Sequence, residues 1–291
     1  MAGRGGTGSD SMRPFLKWPG GKRWAAAVIA EIARKHLSDQ GMYYEPFLGG
    51  GAVFFHLLPS RAVLSDVNGE LIDAYMAVKY GPRDVIAGLR RIPVSSKEFY
   101  RMREYRPRAR LNRATRLLYL NRTAFGGIYR VNSFGQFNVP YGGRTPADLY
   151  ESDILLQAAK AMKGAKVSQI DFEIAISKAK SGDVVYCDPT YTVTHDNNCF
   201  IRYNERNFSW ADQERLVKVA NTAVGRGATV IVSNAHHPNL KDLYEGWCST
   251  TLRRYSAVSP EPEHRKEVAE YLFVRLPRKV QASRSQGSER E

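Results

Sequence analysis

The residues best able to do chemistry stand together in "CDPTY", Cys187 to Tyr191, directly after the apolar run "GDVV". An exocyclic amine on a nucleobase such as adenine is a poor nucleophile, because its lone pair is delocalised into the ring. To react it needs acceptors aimed at its N–H groups, so that charge developing on nitrogen meets dipoles already in place. The Asp188 carboxylate and the Pro189 carbonyl supply two acceptors, and the Tyr191 ring supplies a plane on which a base can stack. Attack on a methyl sulfonium in line with these groups would complete the chemistry, the alignment removing much of the entropic barrier. A base inside a duplex cannot reach such a pocket and has to be extruded, which costs about a few kcal/mol. Standing alone, an Asp-Pro-Thr-Tyr turn is equally consistent with an ordinary loop.

A second set of residues suggests what binds beside it. In "EPFLGGGAVFF" the glycines Gly49, Gly50 and Gly51 follow a strand-like start and lead into a helix-like stretch, so a ligand can approach the backbone closely. The full GxGxxG spacing is absent, since Phe54 stands where the third glycine belongs. Asp66, at the end of the next strand-like run, can accept both hydroxyl hydrogens of a ribose. Glu45, just before the glycines, disfavours a phosphate and tolerates a cationic amine or sulfonium. Together these favour S-adenosylmethionine over NAD. In "FLKWPGGKRW" the glycine-lysine pair falls short of GxxxxGK[ST], with Leu16 and Arg23 at the deciding places. Lys17 and Lys22 are left to meet carboxylate or phosphate, and Trp18 is a ring for stacking or for packing.

Three cysteines, Cys187, Cys199 and Cys248, have no CxxC spacing, so neither a disulfide framework nor a zinc ribbon is expected. A metal site assembled from Cys187, His195, Cys199 and the His236/His237 pair matches no zinc spacing, and no metal is expected.

These groups need a scaffold that brings strand ends together. "YYEPFLGGGAVFFHLL" and "RAVLSDVNGELIDAYMAV" each read as strand, turn and helix, while "GDVVYCDPTY" and "GATVIVSNAHH" are β-branched runs ending in polar residues. Between the latter lies the helical "SWADQERLVKVANTAVGR", with Ser209 as its N-cap. Strands alternating with helices predict an α/β fold with a mostly parallel, doubly wound sheet, and "EVAEYLFVRL" reads as a last edge strand. The segments 1–11 and 278–291 read as tails too poor in apolar residues to order themselves.

The 291 residues are 43% hydrophobic and carry a formal charge of +14, which suits a polyanionic partner. Nucleic acid leads and an anionic membrane surface follows. No apolar run approaches the ~18 residues of a membrane span, and the first residues lack the centre of a signal peptide, so a cytoplasmic protein is expected. The charge is concentrated: Arg83 to Arg130 holds 13 Lys/Arg against 3 Asp/Glu, among aromatics including Phe99, Tyr119, Phe125 and Tyr129. A small helical domain that holds phosphates explains this better than an ordinary solvated face. The glycine-rich loop "NRTAFGGIYRVNSFGQFNVPYGG" then offers Arg122, Asn132 and rings to a groove.

Taken together, "FLKWPGGK", "EPFLGGGAVFF", "SDVNGELIDAY", "LYLNR…FGGIYR…GQFNVPYG", "VVYCDPTY" and "RKEVAEYLF" make the chain resemble the Dam-like, D12-class adenine-N6 DNA methyltransferases from Phe15 to Val274. The resemblance implies a Rossmann-like methyltransferase sheet over residues 12–72 and 156–277, with a helical target-recognition domain inserted at 73–155. It implies methyl transfer from S-adenosylmethionine to N6 of an adenine in duplex DNA, in GATC; with no obligate protein partner predicted, a monomer is expected. Asp188, Pro189 and Tyr191 match the family's reacting tetrapeptide. Trp18, Lys22, Asp66 and Asp188 match its cofactor contacts, which Glu45, Phe47, Gly49, Gly51, Asp171 and Phe172 complete. Arg130 and Lys17 match its guanine readers, Phe125 its intercalating ring, and Ile128 and Pro140 its contacts to a thymine methyl. Two positions depart from the pattern: Thr190 replaces a second proline, which removes a constraint on Pro189, and Gly126 replaces a polar residue. Two alternatives stay open: a DNA-binding protein in which Thr190 has disabled transfer, and an NAD-dependent oxidoreductase, disfavoured by the incomplete glycine motif.

Overall fold

Residues 12–132, 134–146, 151–191, 208–255 and 267–278 are described in a computed structural model. Short β-branched runs become the strands β1 (Tyr43–Glu45), β2 (Ala62–Asp66), β3 (Ala165–Gln169), β4 (Val184–Cys187), β5 (Thr229–Ala235), β6 (Cys248–Tyr255) and β7 (Glu267–Arg275). They form one sheet in the order β3-β2-β1-β4-β5-β7-β6. The first five in that order run parallel, and β7 runs antiparallel to both of its neighbours.

Helices cover both faces. The chain also forms α1 (Ala26–His36), α2 (Ala52–Leu57), α3 (Gly69–Tyr80), α4 (Pro82–Arg90), α5 (Ser96–Glu104), α6 (Arg110–Thr123), α7 (Ser152–Ala161), α8 (Phe172–Ile176), α9 (Trp210–Gly225) and α10 (Pro238–Leu243). Alternation along each strand sorts side chains between the two faces. Val184, Tyr186, Ile231 and Leu272 join the cluster under α1 to α7, whereas Val185, Cys187, Val232 and Phe273 join the one under α8 to α10. Ser209 caps α9 as its sequence position predicts, with a reciprocal bond to Asp212.

The basic helices are not a detached layer. Val85, Leu89, Phe99, Met102, Leu117 and Leu118 belong to the same buried cluster as Leu64 and Tyr186 of the sheet. Within α6 every residue from Ala114 to Thr123 is buried, including Arg116 and Arg122. The Arg116 guanidinium closes the end of α5, donating to the carbonyls of Met102 at 3.0 Å and Arg103 at 2.9 Å.

One expectation is corrected. β7, expected at the sheet's edge, lies between β5 and β6, and the outer strand is β6. Strand patterning reports burial and not spatial order, and the polar "CSTTLRRY" of β6 looks like a loop until pairing is seen. β3, "AKVSQ", carries no strand pattern in its sequence because only its first residue is buried.

Candidate functional site

The sheet reverses its strand order between β1 and β4, and in an open parallel sheet ligands bind beyond the carboxyl ends at such a point. Three acidic side chains stand there: Asp66 ending β2, Glu45 ending β1 and Asp188 just past β4.

Asp188 is held by two donors. Lys22 Nζ lies 2.8 Å from Oδ1, and Ser233 Oγ donates to the same oxygen at 2.8 Å. Burial pushes the Asp188 carboxyl up, against the opposing pull of Lys22 and Ser233. Lys22 is itself buried. Besides Asp188 it hydrogen-bonds the Gly20 carbonyl at 3.0 Å and forms a looser ion pair with Glu270 of β7 at 3.5 Å. The carboxylates that Lys22 meets are therefore the protein's own. Tyr191 lies under the same ammonium, 4.9 Å from ring centroid to Nζ, and burial raises its hydroxyl well above the usual range. Pro189 is buried and Thr190 exposed beside it.

The glycine turn adjoins this group. Gly49 and Gly51 both take positive φ, 46° and 65°. Gly51 needs that freedom: a Cβ there would stand 2.8 Å from the Tyr75 hydroxyl, which donates to the Gly49 carbonyl. Asp66 braces the turn by accepting from Gly49 N at 3.1 Å and from Asn68 N at 2.9 Å, one bond to each oxygen, so each keeps a lone pair. Glu45 Oε2 accepts from the Tyr43 hydroxyl at 2.8 Å and from Phe54 N at 3.0 Å in the first turn of α2. Burial pushes its carboxyl up to about 8, so a cation placed nearby favours its ionised form.

Farther along, Phe47 stacks on Phe172 at 5.3 Å, with Phe208 edge-on. Asp171 caps α8 and forms a two-pronged pair with Arg215 at 3.0 and 3.1 Å. The turn's close backbone approach, spare acceptors on Asp66, a buried carboxyl that tolerates a sulfonium and an aromatic wall suit an adenosyl cofactor. Among the described residues no cluster of His, Cys, Asp and Glu could hold a metal ion; His195 and Cys199 lie outside them.

Of the residues expected to meet DNA, Lys17, Phe125, Ile128, Arg130 and Pro140 are exposed. Arg130 is pre-aimed, since its Nε donates to Asn138 Oδ1 at 2.9 Å. Arg122 is buried near the Phe15 carbonyl and Glu151, and the structure does not bring it to the exposed loop. Asn132 is engaged within its own turn, Oδ1 accepting from Phe134 N and Gln136 N at 3.0 Å each. Phe134, one of the rings in that loop and not singled out among them, stands 84% exposed at that turn.

Trp18 joins the two regions. It stacks on Tyr129 at 4.4 Å and 16°, one residue before Arg130. Buried Asn121 fastens the same joint, accepting from Lys17 N at 3.0 Å and donating to the carbonyls of Lys17 at 2.7 Å and Gly127 at 3.3 Å.

A mostly parallel sheet of this order, with an Asp-Pro-x-Tyr segment at the switch point and a basic helical region beside it, suits a nucleic-acid methyltransferase. The model of the D12 class N6 adenine-specific DNA methyltransferases matches residues 18–261, and the chain belongs to that family. It is an adenine-specific DNA methyltransferase whose donor is S-adenosylmethionine. The type II methyltransferase M1.LlaDCHI of Lactococcus lactis subsp. cremoris is 35% identical over 245 residues, covering 81% of this chain and 85% of its own. The DNA adenine methylases of Vibrio cholerae and Escherichia coli K12 are 31% and 29% identical, each covering 91% of this chain and 96% of theirs. No helix among the described residues is long and apolar enough to cross a membrane.

Proposed function

We propose that the enzyme methylates N6 of an adenine swung out of duplex DNA, within the sequence GATC, using Asp188, Pro189 and Tyr191. The observation that carries this reading is Asp188 itself, fixed at the carboxyl end of β4 beside the glycine turn. When bound, S-adenosylmethionine supplies an electrophilic methyl group. The Asp188 carboxylate and the Pro189 carbonyl accept the two N–H groups of the target amine, and Asp188 takes up the proton that nitrogen sheds as its new bond forms. Tyr191 covers the base face. Residues 12–72 and 156–277 form the transfer core, residues 73–155 select the target, and the enzyme acts as a monomer on cytoplasmic DNA.

GATC is supported by the match of Arg130 and Lys17 to the family's guanine readers together with their exposure. A bidentate Arg–guanine contact discriminates by about 1–3 kcal/mol. Asp188→Ala is expected to abolish transfer of labelled methyl to a GATC duplex while cofactor or DNA binding stays detectable. Full activity in that variant sinks the assignment, and mapping of N6-methyladenine on DNA from expressing cells tests the site.

A further inference from the structure

Three polar side chains on one face of the sheet form a directed chain that the reaction above leaves without a role. Cys187 of β4 pairs in register with Val232 of β5, so the next residues, Asp188 and Ser233, are neighbours. Tyr186 lies two residues before Asp188 and shares its face. The Tyr186 hydroxyl sits 2.9 Å from Ser233 Oγ, which lies 2.8 Å from Asp188 Oδ1. Tyr186 and Ser233 are taken from water, at 1% and 2% exposed, while the Asp188 side chain at the head of the chain keeps 18% of its surface open.

The donor direction follows from counting protons. An ionised carboxylate only accepts, so the single Ser233 hydroxyl proton points at Asp188. Tyr186 must then donate to Ser233. Lys22 approaches the same Oδ1, and among the described residues none donates to Oδ2.

We propose that Ser233, backed by Tyr186, is a positioning residue for methyl transfer: it pins Oδ1 of Asp188 so that Oδ2 faces the incoming amine. This rests on Asp188 being the amine's acceptor. Lys22 alone cannot fix the carboxylate's rotation, because an ammonium is a point charge that follows either oxygen. A hydroxyl anchored on the neighbouring strand defines one orientation. Such anchoring counts in a transition state that needs the acceptor within a fraction of an ångström.

The charged and titratable groups facing Asp188 are Lys22, Glu270, Glu45, Tyr186, Tyr191 and Cys187. Ser233 lowers the Asp188 pKa by bonding to its ionised form. Its removal raises that pKa, so the acid side of the kcat/KM profile moves to higher pH. The other facing groups are common to both proteins and cancel in the comparison.

The test uses the full chain, a GATC duplex and S-adenosylmethionine. Ser233→Ala is expected to lower kcat about 10- to 100-fold, in the range one positioned group commands, with both KM values little changed and the acid limb shifted upward. Ser233→Thr, which keeps the hydroxyl, should restore most of the rate. Tyr186→Phe, nearly isosteric, should shift the limb in the same direction by less, and it carries the test if Ser233→Ala does not fold. Wild-type kcat and pH profile in the folded Ser233→Ala protein, or in Tyr186→Phe when that variant stands in for it, overturn the inference. A fully active Asp188→Ala protein instead overturns the underlying reading, so the two failures are distinct.

Discussion

At the scale of single residues, Glu45 is a carboxyl whose proton the fold retains. Its folded pKa of about 8 exceeds the ordinary 4.5 because burial outweighs the bonds from Tyr43 and Phe54. Between those values the folded state keeps a proton that the unfolded chain releases. Glu45 therefore costs no stability below about pH 4.5 and destabilises increasingly as pH rises toward 8, by an amount on the order of a few kcal/mol. Glu45→Gln keeps an acceptor for both donors without that penalty. Thermal melts should show the variant matching wild type near pH 5 and exceeding it at pH 8; a gap that shrinks with rising pH would refute this. The sequence made Asp188 and Glu45 legible because an acid beside a proline or a glycine turn is unusual. It made Ser233, Glu270 and Asn121 illegible, since a serine at a strand end or an asparagine in a helix becomes special only when long-range pairing supplies its partner.

Among the elements, the parallel strands β1, β2, β4 and β5 could be read from β-branched runs with turns behind them. α9 could be read from its capping serine. What could not be read is β7's place between β5 and β6, because hydrophobic alternation does not encode neighbours. Arg122 and Arg116 were equally opaque: a basic helix suggests cations held out to phosphates, yet α6 is buried on all sides over its last ten residues. The joint at Asn121 is where α6, the Lys17–Trp18 segment and the loop before Arg130 depend on one amide. Asn121→Ala would leave the Lys17 N–H and two carbonyls unpaired. It should cost about 2–4 kcal/mol of unfolding free energy, read from denaturant midpoints. A loss below about 0.5 kcal/mol would mean water replaces the amide.

For the whole molecule, the +14 charge belongs partly to architecture. Arg116 and Arg122 are internal, while Arg110 and Arg113 are both held by Asp73. The remaining surface cations are still enough to make DNA affinity strongly salt-dependent, each neutralised phosphate adding about −0.9 to the slope of log K against log salt. Titration of a duplex lacking GATC between about 50 and 200 mM salt should give a slope of roughly −4 or steeper. A flat response would show that the basic region does not face DNA.

The Lys22–Glu270 contact ties an early segment of the chain to its last described strand. A ribosome delivers Lys22, Asp66, Asp188 and Ser233 before β7 is available to slot between β5 and β6. Until then Lys22 lacks its second carboxylate and β6 has no partner in the sheet. The parallel strands precede β7 in the chain, so the reacting pocket closes only once β7 has been made, and a product terminated before β7 lacks both Lys22's second carboxylate and the strand that holds β6 in the sheet.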